Sequence, residues 1–318
     1  MHPLIERIIA KFNKQVQPEY AGALFISSQA AFLVSYAWQQ DDVFLADWIE
    51  IADAQQIESS VKELLSRHKL ETTSLDIVLG GHQYNVIAVD KPDVAEEDLA
   101  SALKYSAKDY IPGNLEDMLV DYFDVAAQPF GQSKVNLVAA KRPLVESLIK
   151  LVLERKIILN QIGIEELAYS EAFGQSDDAV MLITQQENEE LLLQIVKQGQ
   201  LYFYRRIRGY NKLHQFAELE ISHGAADNLS LEIQRSLDYF ESQLRQAPVK
   251  KVYLAVPNAN EAMLIEKVGA NFPIPVLPLK NWLAQYLNGD TQHYGFLVAS
   301  AVAVRQMQNT EVVNENKR

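Results

Sequence analysis

Cysteine is absent from the 318 residues, so no disulfide framework, Cys-ligated zinc, iron–sulfur cluster or thiol nucleophile is available. Positive charge is scarce. Lys+Arg 29 against Asp+Glu 42 gives a formal net charge of −13, a poor balance for non-specific nucleic-acid binding, in which Lys and Arg neutralise phosphates. Long apolar runs are absent too: the longest, Phe296 to Val304, is roughly half the ~20 residues a spanning helix needs, and Arg305 follows it. The opening MHPLIERIIAKFNK carries charges where a secretory signal has an uninterrupted apolar core, so the expected location is the cytoplasm. No GxSxG elbow or Walker lysine loop occurs, and the histidines, among them His68, His82, His214, His223 and His293, show no HxH or HxxxH spacing. Neither catalytic nor metal-ligating residues are visible.

What is present is ordinary globular material, 48% hydrophobic and long enough to favour two cores, since a single core stops growing near about 250–300 residues. Met1–Lys14 places Leu4, Ile5, Ile8, Ile9 and Phe12 on one helical stripe with Arg7, Lys11 and Lys14 opposite. Such a helix packs on its own domain or adds weak affinity for an anionic membrane surface. Three strands follow, Ala23–Ser27, Ala31–Trp38 and Val43–Ile51, with polar turns at Ser28–Gln29 and Gln39–Asp42. A helix over Ala54–Lys69 and a strand over Leu75–Gly81 complete a mixed unit. From Tyr84 the order changes: a strand at Asn85–Val89, a helix over Ala95–Tyr110 stopped by Ile111-Pro112-Gly113, then strands near Met118–Val125 and Val135–Ala140. That reads as an insertion at about 84–141. A helix from Pro143 and a strand near Leu159–Ile164 return to the first unit.

The second half repeats the opening grammar. Strands at Ala179–Thr184, Leu191–Val196 and Gln200–Arg208 form another meander, a helix carries Leu229, Ile233, Leu237, Phe240 and Leu244, and a strand covers Lys250–Val256. Helices near Asn260–Val268, Leu279–Leu287 and Tyr294–Met307 follow, and the polar stretch 308–318 reads as frayed. In the basic, aromatic Tyr202–Lys212, strict alternation puts Tyr202, Tyr204, Arg206 and Arg208 on one face and Phe203, Arg205 and Ile207 on the other, which suits an interface strand better than nucleic acid. Two meander-plus-helix halves, 1–165 and 166–318, make the expected class α/β, an actin-like (duplicated ribonuclease H-like) ATPase fold with a small inserted α/β subdomain.

Several stretches resemble the PilM family of type IV pilus assembly proteins, and within it the MshI branch of the mannose-sensitive haemagglutinin pilus system. They are Val89–Val125, Asn136–Ala168, Leu229–Leu237 and Val252–Leu279; the first is the most specific, with Pro92, Glu96-Glu97, Ile111-Pro112 and Asp121-Tyr122 in the family's order and spacing. The resemblance implies a cytoplasmic adaptor at the inner face of the inner membrane. It would dock the N-terminal cytoplasmic peptide of a PilN-like membrane protein, alongside other assembly components, in a groove between the first unit and the insertion. That groove is expected beside Gly80, Gly81, His82 and Tyr84 and the helix carrying Lys104 and Lys108.

Many PilM-like proteins bind ATP between the halves through two hairpin loops and a Gly-Gly turn. Here the equivalent positions are Ser27-Ser28-Gln29, Thr184-Gln185-Gln186 and Val256-Pro257-Asn258. None supplies the acidic group for Mg²⁺ or the glycines that let backbone N–H groups approach phosphate. The expectation is an adaptor with no cofactor and no catalysis; the alternatives are an ATP-binding or weakly hydrolysing protein of the same system and a filament-forming protein of the cell-division type.

Overall fold

The computed structural model describes residues 18–37, 44–106, 108, 110–111, 114–174, 176–283 and 294–315. The helix read over Met1–Lys14, the turn at 39–42, Pro112-Gly113 and His293 lie outside the described residues. Strands β1 (Tyr20–Ile26), β2 (Ala30–Ala37) and β3 (Phe44–Glu50) form the first antiparallel meander, and β4 (Thr73–Leu79) and β8 (Ile158–Ile164) extend it in parallel, giving the order β3-β2-β1-β4-β8. The second half builds the same sheet again. Strands β9 (Val180–Thr184), β10 (Leu191–Lys197), β11 (Gln200–Ile207), β12 (Lys251–Ala255) and β13 (Val276–Pro278) lie in the order β11-β10-β9-β12-β13.

Both faces of each sheet are covered, which is why the central strands read as apolar runs rather than alternating ones. In β1, Leu24 and Ile26 face a core shared with α1 (Ile57–Ser66) and α3 (Arg142–Glu154), whereas Ala21, Ala23 and Phe25 face a middle layer between the two sheets. On the far side, Met181 and Ile183 of β9 pack with Leu229, Ile233 and Phe240 of α5 (Ala226–Ser242) and Leu264 and Val268 of α6 (Glu261–Gly269). The short α4 (Glu165–Ala168) joins the halves.

The middle layer is filled by the last helix, α7 (Gly295–Glu315), whose stretch Phe296–Ala303 is buried on every side. A helix apolar all round belongs in a core. It packs across β1 and β2, so the final segment of the second half completes the first unit. Residues 308–315, read from the sequence as frayed, are helical; 316–318 lie outside the described residues. No helix spans 279–283, where Leu279 N–H instead bonds the Leu254 carbonyl at 2.8 Å and closes the edge strand β13.

The insertion is a three-stranded antiparallel sheet, β5 (Tyr84–Asp90), β7 (Lys134–Lys141) and β6 (Met118–Phe123) in that order, with α2 (Glu96–Ser106) on one face. Its other face, through Tyr84, Leu119 and Ala140, packs on the first core. One face assignment from the sequence is corrected. A bulge opposite Ile195/Val196 leaves Tyr202 as the extra residue in β11, so Tyr202 joins Phe203 on the α5 side, against Phe240 and Tyr239, while Tyr204 faces Phe123 of the insertion.

Candidate functional site

The three loops singled out from the sequence meet in the cleft between the halves. Ser27, Gln29, Gln186 and Pro257, with Trp48 and Tyr294, line a cavity of about 410 Å³. Side chains hold these turns where glycines would otherwise serve: Ser27 Oγ accepts from the N–H groups of Gln29 (3.3 Å) and Ala30 (3.0 Å), and Asn258 Oδ1 accepts from Asn260 N–H at 2.6 Å. Asn258 Nδ2 is spent on the carbonyls of Leu213 and Phe216. Gln185 N–H bonds the Ala255 carbonyl at 3.0 Å, and Thr184 is 1% exposed.

Across the cleft the hairpins touch. Ser28 N–H donates to Glu189 Oε1 at 2.8 Å, and His82 Nδ1 lies 3.5 Å from the same oxygen. Burial pushes the Glu189 carboxyl up, but hydrogen bonds from His82 and Ser28 outweigh it and hold the group below the usual carboxylate range. The Glu189 hydrogen bond in turn raises His82. The backbone donor at the tip of the first hairpin is thus already occupied by a carboxylate of the second.

A larger buried network lies behind this contact. Arg206 on β11 bonds Glu165 Oε2 (2.9 Å) and Glu166 Oε1 (2.9 Å), and its Nη2 donates to the Tyr84 hydroxyl at 3.1 Å. Tyr84 donates to Glu166, and Gln194 Nε2 donates to the Glu166 carbonyl. Burial lifts Glu165 to about 7 against the pull of Arg206. The other two arginines of the basic cluster are also paired, Arg205 with Glu232 at 2.7 Å and Arg208 with Glu190 at 3.4 Å.

The residues expected to share a groove are separated. Gly80, Gly81, His82 and Tyr84 sit at the interdomain cleft: Gly80 N–H bonds the Ile26 carbonyl (2.8 Å), Gln83 Nε2 bonds that of Ser27 (3.2 Å), and Tyr84 is 6% exposed. Lys104 and Lys108 belong to α2 and the turn after it, on the opposite face of the β5-β7-β6 sheet. The alternation of β5 sends Tyr84 and Val86 to one face and Ile87 and Val89 to the other, so the sheet itself stands between the two sets. The glycines serve packing: a Cβ at Gly80 would lie 2.6 Å from the Ile26 carbonyl oxygen, and one at Gly81 would meet the Arg206 guanidinium at 2.5 Å. Gly80→Ala will therefore lower stability by about 1–3 kcal/mol, read as a shifted urea midpoint. An unchanged midpoint would show that the turn relaxes freely.

The groove between the first unit and the insertion lies elsewhere. A cavity of about 570 Å³, within the roughly 300–1,000 Å³ range of ligand pockets, is floored by Val78, Gln161 and Gly163. Asp121 and Tyr122 at the end of β6, with Asp124, Val125 and Ala126 beyond it, form one wall; Val302 and Arg305 of α7 form another; Leu167 and Gly199–Leu201 close the end. Ala126 N–H bonds the Leu201 carbonyl at 2.9 Å and ties the insertion to β11. Arg305 is held by Asp76, which is fully buried and also accepts from Asn160 (2.6 Å) and Gln161 (3.2 Å). Sequence reasoning missed Gly163 and Arg305. The available signals were a glycine within a strand and a cation directly after an apolar helical run.

No family model and no curated protein sequence matches the chain. Solved structures do. A PilM-PilN type IV pilus biogenesis complex matches with a TM-score of 0.61 at 15% identity, covering 90% of this chain and 98% of that one. A protein of Bacteroides thetaiotaomicron with an actin-like ATPase fold matches at 0.52 and 12% identity, covering 87% and 97%. The chain has the actin-like ATPase fold. The cytoplasmic domain of EpsL, an inner membrane component of the type II secretion system of Vibrio cholerae, matches at 0.50 and 13% identity, covering 91% and 95%. In this actin-like frame the 410 Å³ cavity occupies the interdomain cleft, and the 570 Å³ groove lies where the insertion meets the first unit. Among the described residues, no helix is long and apolar enough to cross a membrane.

Proposed function

We propose that this protein is a non-catalytic adaptor of a type IV pilus inner-membrane platform, PilM-like and of the MshI kind, which holds the N-terminal cytoplasmic peptide of a PilN-like membrane protein. The groove floored by Val78, Gln161 and Gly163 carries this reading, because it is a pocket between subdomains, a favoured place for ligands. The likeness to PilM in its complex with PilN and to the cytoplasmic domain of EpsL supports the setting, the cytoplasmic side of the inner membrane. Co-purification with the membrane components of the platform, lost when the groove is filled, tests it.

The adaptor is read as non-catalytic because Glu189 occupies the Ser28 N–H. A phosphate brought to about 4 Å from that carboxylate meets repulsion of about 4 kcal/mol at an effective dielectric of 20. That is roughly a thousandfold in affinity, enough to turn a micromolar site into a millimolar one. Calorimetry with Mg-ATP will accordingly show no saturable heat at micromolar concentrations. A Mg²⁺-dependent isotherm would replace this reading with the ATP-binding alternative.

A further inference from the structure

Three carboxylates are buried where the two halves meet, Glu165, Glu166 and Glu189, each 1% exposed. Arg206 answers the first two. Among the described residues, the ionisable group paired with Glu189 is an imidazole, His82, whose side chain is 55% exposed. A buried carboxylate that loses its compensating charge is costly, so the strength of this pairing depends on whether His82 holds a proton.

The contact joins two turns that are each fixed from within. On the second half, Glu189 N–H bonds the Gln186 carbonyl at 3.1 Å, and Gln185 Nε2 donates to the Glu189 carbonyl at 2.9 Å. On the first, the turns carrying Ser28 and His82 are tied together by Gly80 N–H on the Ile26 carbonyl and by Gln83 Nε2 on that of Ser27. One carboxylate oxygen therefore bridges the halves, accepting from Ser28 N–H at 2.8 Å with His82 Nδ1 at 3.5 Å. The 410 Å³ cavity opens beside it, lined by Ser27, Gln29, Gln186 and Asn188.

Several charges face His82. The hydrogen bond to Glu189 raises its hold on a proton, burial and the charge of Arg206 oppose, and Glu190 adds to the rise although Arg208 pairs it. Behind Glu189, Glu165 and Glu166 face Arg206, and Tyr84 donates to Glu166. The balance at His82 is upward from 6.5. The contact is thus favoured fully below about 6.5, and that advantage is lost as pH rises through the raised value. Glu165, lifted by burial to about 7, ionises over the same range and adds negative charge behind Glu189. Glu189, held below the usual carboxylate range, stays ionised throughout.

We propose that Glu189, Ser28 and His82 form a proton-sensitive clasp between the two halves. With His82 protonated, the hairpins are held together and the Ser28 N–H is covered. When His82 loses its proton the clasp loosens, the hairpins part at this point, and the Ser28 N–H is released to the cleft. The device belongs to the cleft and does not rest on the groove or its occupant.

The test follows amide hydrogen exchange of the full chain by NMR from pH 6 to pH 8, each rate divided by that of an unstructured chain at the same pH so that the base catalysis of exchange cancels. Protection of the Ser28 amide should fall several-fold across this range relative to that of Leu24, a buried residue of β1 that reports global opening. His82→Gln, which keeps a donor and cannot hold a proton, should show the low protection at every pH. His82→Lys, charged throughout, should keep the high protection to pH 8. Ser28 protection that does not vary with pH in the parent, that varies as much in His82→Gln, or that His82→Lys fails to restore at pH 8 would overturn the clasp.

Discussion

Arg206→Leu will destabilise the protein by about 3–5 kcal/mol, the cost of leaving a buried charge without its partner. Glu165 and Glu166 are each 1% exposed, and Arg206 is the cation that bonds both carboxylates. Arg206→Lys will fall between the two, since a lysine keeps the charge and loses the planar fork that reaches Glu165, Glu166 and Tyr84 together. The loss should also depend on pH with a definite sign. A carboxyl whose folded pKa is about 7, raised from 4.5, contributes stability that is complete below about 4.5 and is lost as pH rises through about 7. Removing the arginine strengthens that tendency, so urea midpoints of Arg206→Leu should approach the parent value as pH falls from 7.5 to 5.5. A deficit that stays constant or widens over that range would mean that the network is held by something other than this cation.

Gly163→Val should abolish partner binding, a loss of about a hundredfold, while leaving the thermal melt unchanged or slightly higher. Valine is a good strand former, and at a compatible backbone position a side chain in place of glycine stabilises by about 0.4–1 kcal/mol through the unfolded chain. The space it fills belongs to the groove alone, so the fold has nothing to lose. Few substitutions separate function from stability this cleanly. Retained co-purification of the partner with a folded Gly163→Val protein would remove the groove from the proposed adaptor function.

The fold was largely legible in the sequence because its central strands are short, apolar and punctuated by polar turns, and because the meander recurs. What was illegible depended on partners distant in the chain. Nothing local to Tyr202 announces a bulge, which arises where Val196 pairs Leu201 and Ile195 pairs Phe203. The edge strand β13 has three residues and ends on Pro278, too short to show a period. The direction of α7 was hidden for a different reason: a helix buried all round has no polar face to indicate which sheet it covers. The three cleft loops were found because each ends a strand that the pattern reveals. The cavity between the first unit and the insertion was not legible because its walls come from positions near 78, 121–126, 161–168, 199–201 and 302–305, whose adjacency only the folded chain creates. Gly80 and Gly81, which the sequence offered beside the expected groove, are positions where a Cβ would meet the Ile26 carbonyl and the Arg206 guanidinium.

The return of α7 to the first sheet also sets a timetable for synthesis. The apolar face of β1 and β2 is covered by Phe296–Ala303, which leaves the ribosome long after β8 has been made. At about 5–20 residues per second the first half waits on the order of ten seconds with that face bare. During this interval it presents Phe25, Phe32 and Tyr36 to whatever else is nascent or nearby. The arrival of α7 is therefore the event that closes the first half, and a chain halted before Phe296 would leave the face of β1 and β2 without that cover.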